Sequence, residues 1–254
     1  MELKNISVIV TAYNEEKNIR RCLEALDGFG EVIVVDSFSS DRTVEIAREF
    51  PTTIYRRPYP SAARQKNWAI ARAKNDWVLV VDADETLSRQ LRSEIQELDS
   101  SRLPNKGFWI RRNSEYLGKK IHHCGWQRDK VLRLFRKTFG IYNEREVHEE
   151  VSLDGDAGIL ESTLHHFPYS DVEHHFRKIN DYSSRGAKDY IERGGRHPIL
   201  NAVLHPPFRF LRMYALQGGI LDGVQGFVLC LLSSYGVFLK YAKAWEYQRL
   251  KRKN

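Results

Sequence analysis

The sequence predicts an α/β protein: a Rossmann-like mixed sheet with helices on both faces, followed by a helical tail. Three observations predict it. Strand-then-helix units repeat through the first 100 residues, the pattern of a mostly parallel sheet. Successive strands run out into polar and acidic residues at their carboxyl ends, where open α/β sheets bind ligands. Beyond about residue 198 the chain becomes basic and apolar together.

Taken in order, Ile6 to Thr11 is a mostly apolar run that reads as a buried strand, and Asn14 with Glu15 and Glu16 offers a cap and first turn for a helix. Glu31 to Asp36 is a second strand, with Ser39, Ser40 and Asp41 as candidate caps of a helix reaching Phe50. Thr53 to Arg56 reads as extended, Pro58 and Pro60 break the chain, and a helix from about Ser61 to Lys74 leads into a strand over 77–82. Gly107 to Arg112, Val131 to Arg136 and Val147 to Leu153 read as short strands that extend the sheet in mixed orientation. Ser170 and Glu173 have capping-box spacing for a helix with apolar positions Val172, Phe176, Ile179, Tyr182, Ala187 and Tyr190, ended by Gly194, Gly195 and Pro198. The expected division is a domain over residues 1–198 and a helical region over residues 199–254.

Charge is distributed unevenly. The formal net charge of +7 falls in residues 187–254, where eleven Lys or Arg accompany four acids, and the first 186 residues are neutral overall. Within that tail, residues 226–239 form a charge-free stretch too short to span a bilayer by itself. Arg209, Arg212, Lys240 and Lys243 flank it, and Phe210, Tyr241, Trp245 and Tyr247 supply interfacial aromatics. The expectation is an element lying in the plane of a membrane, with a buried helical hairpin as the competing reading. Cys22, Cys124 and Cys230 are odd in number and form no Cys-x-x-Cys, and residues 1–10 carry no secretory pattern, so a reducing, cytoplasmic setting is expected.

The chemistry concentrates where Val78-Leu-Val-Val81 runs into Asp82, Asp84 and Glu85. Two hard oxygen ligands this close suit Mg²⁺ or Mn²⁺, and such an ion would clamp a diphosphate. Three strand ends in order, Thr11-Ala-Tyr13-Asn14-Glu15, Val35-Asp36-Ser37 and Asp82-Ala-Asp84-Glu85, resemble those of the inverting family 2 glycosyltransferases with the GT-A fold. The likeness continues through Arg64-Gln-Lys66-Asn67-Trp68, Gly125-Trp126, Asp129 to Arg136, Val147-His148-Glu149 and Leu221-Asp222-Gly223 to Lys243, and is similar to the lipopolysaccharide core β-glucosyltransferase branch.

That resemblance implies a UDP-sugar donor, a glycolipid acceptor such as lipopolysaccharide inner core, and attachment to the inner leaflet of the cytoplasmic membrane. It implies Thr11, Tyr13, Glu15 and Asp36 around the uridine, Asp84 as first metal ligand and Asp82 on ribose, the metal or its water. It further implies His166, with His165 as rival, completing the metal site, and Lys66 or Arg64 on phosphates. Inversion needs a base opposite the leaving group; the resemblance points to Glu149, with Glu150 and Asp129 as alternates, and to Trp126 and Arg133 as pocket-shaping residues.

Several function classes fit less well. Asp82-x-Asp84-x-Thr86 also satisfies the nucleophile signature of haloacid dehalogenase-like phosphatases, but after Gly155-Asp156 the position needing a second acid is Leu160. His122, His123, Cys124, His148, His165, His166, His174 and His175 lack the paired spacing of a closed zinc site. A nucleic-acid binder would account for the basic tail but not for acidic strand ends that repel phosphate, so no nucleic-acid partner is expected. Neither a dinucleotide-binding nor a P-loop glycine pattern occurs.

Overall fold

The computed structural model describes residues 1–99, 104–143 and 150–251. Two compact units emerge, Met1–Asn113 with Asp129–Phe167, and Ser114–Arg128 with Pro168–Asn254.

The first unit opens with β1 (Ile6–Ala12), α1 (Ile19–Glu24), β2 (Glu31–Asp36), α2 (Thr43–Ala47), β3 (Thr53–Arg56), α3 (Ala62–Ile70), β4 (Trp77–Asp82), β5 (Glu85–Leu87) and α4 (Arg89–Glu97). It continues through β6 (Gly107–Tyr116), then, after β7 (Lys119–Lys120), through β8 (Lys130–Arg136), β9 (Gly140–Tyr142), β10 (Val151–Leu153) and β11 (Ala157–Tyr169). The sheet order is β3-β2-β1-β4-β8-β6-β11-β5, with β7 on β6. β3, β2, β1 and β4 are parallel, whereas β8 is antiparallel to both β4 and β6.

Both faces of β1 are buried, which explains its nearly unbroken apolar run. Val8 and Val10 pack with Leu23 of α1, with Leu26 just beyond it, and with Leu91 and Ile95 of α4. On the opposite face Ile9 joins Ile33, Val78 and Val80 with Ala63, Ala69 and Ile70 of α3. Ser61 and Ser88 cap α3 and α4, each accepting a hydrogen bond from the backbone N–H three residues on.

Four expectations change. Asn14 is not a helix cap: it takes φ of 54°, its N–H donates to Ser39 Oγ at 2.9 Å, and its side-chain oxygen accepts from Ser40 N–H at 2.8 Å. Local side-chain hydrogen bonds compete with helix formation at such residues, and α1 begins at Ile19. The helices expected to reach Phe50 and Lys74 end at Ala47 and Ile70. β10 pairs with β9 in a separate two-stranded sheet rather than extending the main one, and residues 147–149 lie outside the described residues. β11 went unread because its buried positions, Leu160, Leu164 and Pro168, are four apart with polar or small residues between most of them.

The second unit is mainly α5 (Val172–Glu192), α6 (Pro198–Leu211) and α7 (Gly223–Lys251). Asp171, rather than Ser170, caps α5 by accepting from His174 N–H at 2.7 Å. A core of Tyr116, Ile121, Cys124, Met213, Leu229 and Cys230 closes around a buried carboxylate. Asp222 accepts the N–H groups of His122 (3.2 Å) and His123 (2.9 Å), bonds His123 Nδ1 at 3.1 Å and receives the Cys124 thiol at 3.7 Å. On α7 the residues Val224, Phe227, Leu231, Tyr235, Phe238 and Trp245 are exposed at helical spacing, while Leu229, Cys230, Tyr241 and Ala244 are buried. α6 likewise exposes Ile199, Leu200, Val203, Leu204, Phe208 and Leu211. Although the charge-free stretch is short, Gly219–Leu250 is helical, with a mean hydropathy of 1.5 in its most apolar window, long and apolar enough to cross a membrane by length and composition.

Asp222→Ala would leave the part-buried N–H groups of His122 and His123 without this acceptor at a cost of about 2–4 kcal/mol, seen as a lower urea midpoint, with Asp222→Asn losing less.

Candidate active site

The sheet register brings the three polar strand ends side by side. Thr11 pairs with Asp82 across β1 and β4, and Ala12 pairs with Asp36 across β1 and β2. Thr11 Oγ1 donates to Asp82 Oδ1 at 2.9 Å, and Lys66 Nζ, from α3, reaches the same oxygen at 3.1 Å. The other oxygen, Oδ2, is bonded by the Arg133 guanidinium of β8. Arg133 also donates to Glu85 Oε1 at 2.7 Å, Arg112 of β6 reaches that atom at 3.2 Å, and Glu85 Oε2 accepts the Asp82 N–H at 3.0 Å. From Arg112 the chain of charges continues to Asp129 Oδ2 at 2.7 and 2.8 Å. Glu85 is 0% exposed and Arg133 4%.

Beyond this cluster Asp84, almost buried, lies with Oδ2 3.9 Å from His166 Nε2. Antiparallel pairing of β11 with β5 sets His166 opposite Glu85 and His165 opposite Thr86. Adjacent strand residues point to opposite faces, so His166 is half-buried toward Asp84 and His165 is exposed.

Residues 7–143 match the family model described as Glycosyl transferase family 2. The chain belongs to that family. It is 28% identical over 253 residues to the lipopolysaccharide core biosynthesis glycosyltransferase LpsC of Rhizobium meliloti, covering 97% of this chain and 94% of LpsC. An uncharacterized glycosyltransferase of Rickettsia typhi is 29% identical over 96% of this chain and 88% of its own length. The crystal structure of TarS 1-349 from S. aureus in complex with UDP-GlcNAc superposes with a TM-score of 0.52 at 15% identity, covering 94% of this chain and 91% of that one. The fold is therefore GT-A-like, and the cluster lies at the carboxyl ends of the parallel strands of a family 2 glycosyltransferase.

Within the glycosyltransferase the expected residues separate into groups. Thr11, Lys66, Asp82, Asp84 and His166 come together, whereas Lys66, expected on phosphates, is almost wholly buried against Asp82. Asp82, expected on the metal or ribose, has its two oxygens engaged by Thr11, Lys66 and Arg133, which anchor the strand end. Asp36 is 0% exposed, and its oxygens accept from Ser39 N–H at 3.1 Å and Arg56 Nε at 3.2 Å. Tyr13 is 60% exposed, and Glu15 Oε2 accepts from the Asn18 amide at 2.5 Å. Arg64 is exposed on α3. Glu149 lies outside the described residues, Glu150 is exposed, and Asp129 is held through two hydrogen bonds by Arg112. Trp126 packs at the edge of the second unit's core. Sequence reading missed Arg112 and assigned Glu85 no role; charged residues inside strand patterns were the available signal.

Burial opposes the Asp82 charge, but Arg133 and Lys66 outweigh it and hold the carboxyl well below the usual aspartate range. Burial lowers the His166 pKa against the opposing pull of Asp84 and Glu85, favouring the neutral imidazole. Among the described residues no group of three or more His, Cys, Asp or Glu is arranged to hold a metal ion.

Glu85→Ala would remove the buried carboxylate that Arg133 and Arg112 share and destabilise the fold by about 3–5 kcal/mol, measured by urea denaturation. Because the folded Asp82 pKa is depressed, its contribution to stability is fully present above the unfolded value near ~4 and is lost as pH falls through the folded one. An Asp82→Asn variant is expected to lose part of this acid dependence in a stability-versus-pH series.

Proposed function

We propose that this glycosyltransferase moves a sugar, glucose first among the candidates, from a UDP-sugar to a glycolipid such as the lipopolysaccharide inner core, with inversion and with Mg²⁺ or Mn²⁺. The observation that carries the reading is the row of polar β1, β2 and β4 ends, with Asp84 just past β4 and His166 Nε2 3.9 Å from its Oδ2. Full-length similarity to LpsC supports the acceptor class. TarS, which shares the fold, was crystallised with UDP-GlcNAc, which supports a UDP-sugar donor.

Asp84 and His166 fit a divalent ion, since one is a hard carboxylate and the other an imidazole kept neutral by burial. Mg²⁺ and Mn²⁺ sites of this kind take one or two protein ligands and complete the shell with phosphate oxygens and water. When bound, the ion would neutralise the charge that builds on the departing diphosphate. Asp82 holds the strand end beneath it through Arg133 and Lys66. Tyr13, Glu15, Thr11 and Asp36 surround the uridine in this reading. Glu149 takes the acceptor proton; Asp129 is the weaker candidate because Arg112 already stabilises its charge.

Residues 199–254 would serve as the membrane-associating region. Only one face of α7 is open, since Ser234 Oγ donates to Pro206 O at 2.7 Å and Lys243 Nζ to Asn180 O at 2.7 Å on its packed side. A one-sided apolar stripe with a basic surround suits a helix lying in the interface of an anionic inner leaflet.

Incubation with Mn²⁺ and a panel of UDP- and GDP-sugars is expected to give selective turnover of a UDP-sugar, reduced at least about 100-fold by Asp84→Ala; selectivity for a GDP-sugar would overturn the donor assignment. Phe208→Asp with Phe238→Asp should abolish co-sedimentation with anionic vesicles while the protein remains folded, and undiminished sedimentation would remove the membrane role.

A further inference from the structure

One exposed side chain sits at high backbone cost beside the strand ends. Phe38 follows β2 in the left-handed region at φ of 61°, and half of it (51%) is exposed. Bulky residues rarely adopt this conformation, and such outliers concentrate at ligand sites where surrounding contacts enforce them. Here the enforcing contacts are visible. Asp36 accepts the Ser39 N–H at 3.1 Å, closing the turn through Phe38, and Ser39 Oγ accepts the Asn14 N–H at 2.9 Å. Ser40 N–H donates to Asn14 Oδ1 at 2.8 Å, so the loop bearing Phe38 is tied to the loop bearing the exposed Tyr13.

A cation supports the ring. Arg56, paired with Asp36 across β2 and β3, places its Cζ 5.3 Å from the Phe38 ring centroid while its Nε bonds Asp36 Oδ2 at 3.2 Å. An aromatic ring with a guanidinium over one face and solvent access elsewhere is a stacking platform for a flat, polarisable ligand. Asp36 is itself wholly buried, so the surface offered at this strand end is Phe38, with the aspartate acting through Arg56.

We propose that Phe38 is a wall of the nucleobase subsite, stacking on the base of the donor nucleotide while Arg56 and Asp36 hold its orientation. The inference deepens the nucleotide-sugar reading and rests on it. It assigns base affinity to Phe38, whereas the diphosphate end depends on Asp84 and His166.

The test uses titration calorimetry of the full chain with Mn²⁺ and UDP, GDP, ADP or inorganic diphosphate. Phe38→Gly, which suits φ of 61° and keeps the turn, is expected to weaken nucleoside diphosphate binding at least about tenfold. Inorganic diphosphate binding should stay within about twofold, and Phe38→Tyr and Phe38→Trp should restore nucleotide affinity. With the selected donor, Phe38→Gly should raise KM more than it lowers kcat. Wild-type binding of UDP that Phe38→Gly matches would overturn this inference alone. An equal loss of inorganic diphosphate affinity would also overturn it, by making the residue a structural support. A wild type that binds no nucleoside diphosphate would overturn the nucleotide-sugar reading and this inference together.

Discussion

The buried contact between Glu85 and Arg133 is the constraint on which the site depends. Glu85 has no access to water, so its charge is tolerable only because two guanidinium groups and a backbone N–H meet it. Each partner comes from a different strand: Arg133 from β8, Arg112 from β6 and the Asp82 N–H from β4. The carboxylate turns back over its own loop to bind that N–H, and so fixes the path of Asp82-Ala83-Asp84. Ala83 N–H donating to Thr11 O at 3.1 Å, and Phe167 N–H to Asp84 O at 2.8 Å, fasten the same loop to β1 and β11. Its partners lie 27 and 48 residues away in sequence, so the loop takes its shape only once the antiparallel strands have closed beside β4.

What was legible in the sequence was whatever declares itself locally. The runs that became β1, β2 and β4 are apolar because both faces are buried, and their polar ends lie side by side in the assembled sheet. What was illegible depended on partners distant in sequence. Lys66 reads as a phosphate ligand in its helix, and its buried ion pair with Asp82 was not legible because only the assembled sheet sets Asp82 beside it. Asn14 resembles a cap, yet Ser39 and Ser40 offer it better hydrogen bonds than a helix end would. The preference for His166 over His165 rested on resemblance alone, because the phase of β11, a strand with too weak an apolar signal to read, was not legible.

The second unit resolves an apparent contradiction in the tail. A charge-free stretch too short for a bilayer belongs to a much longer helix, because charged residues such as Lys243 continue α7 while bonding Asn180 and Ser183 of α5. Those bonds commit one side of α7 to protein and leave the other as an apolar stripe. The buried hairpin expected as the competing reading does not describe α7 completely, since one side of the helix packs on protein and the other is exposed.

The electrostatics of the strand ends bear on the proposed chemistry. Asp82, Asp84, Glu85 and Asp129 bring four carboxylates to the cluster, and Lys66, Arg112 and Arg133 bring three cations, so the named groups carry formal negative charge. That excess would repel a nucleoside diphosphate. A divalent ion at Asp84 and His166 would reverse its sign, and His166 being neutral adds no charge to oppose the ion. The lysine and arginines cannot do the same work, because each is already bound to a carboxylate that would be left buried and unmatched if it moved. In the proposed reaction the cations of the cluster would hold its shape, and a bound divalent ion would supply attraction for the donor's phosphates.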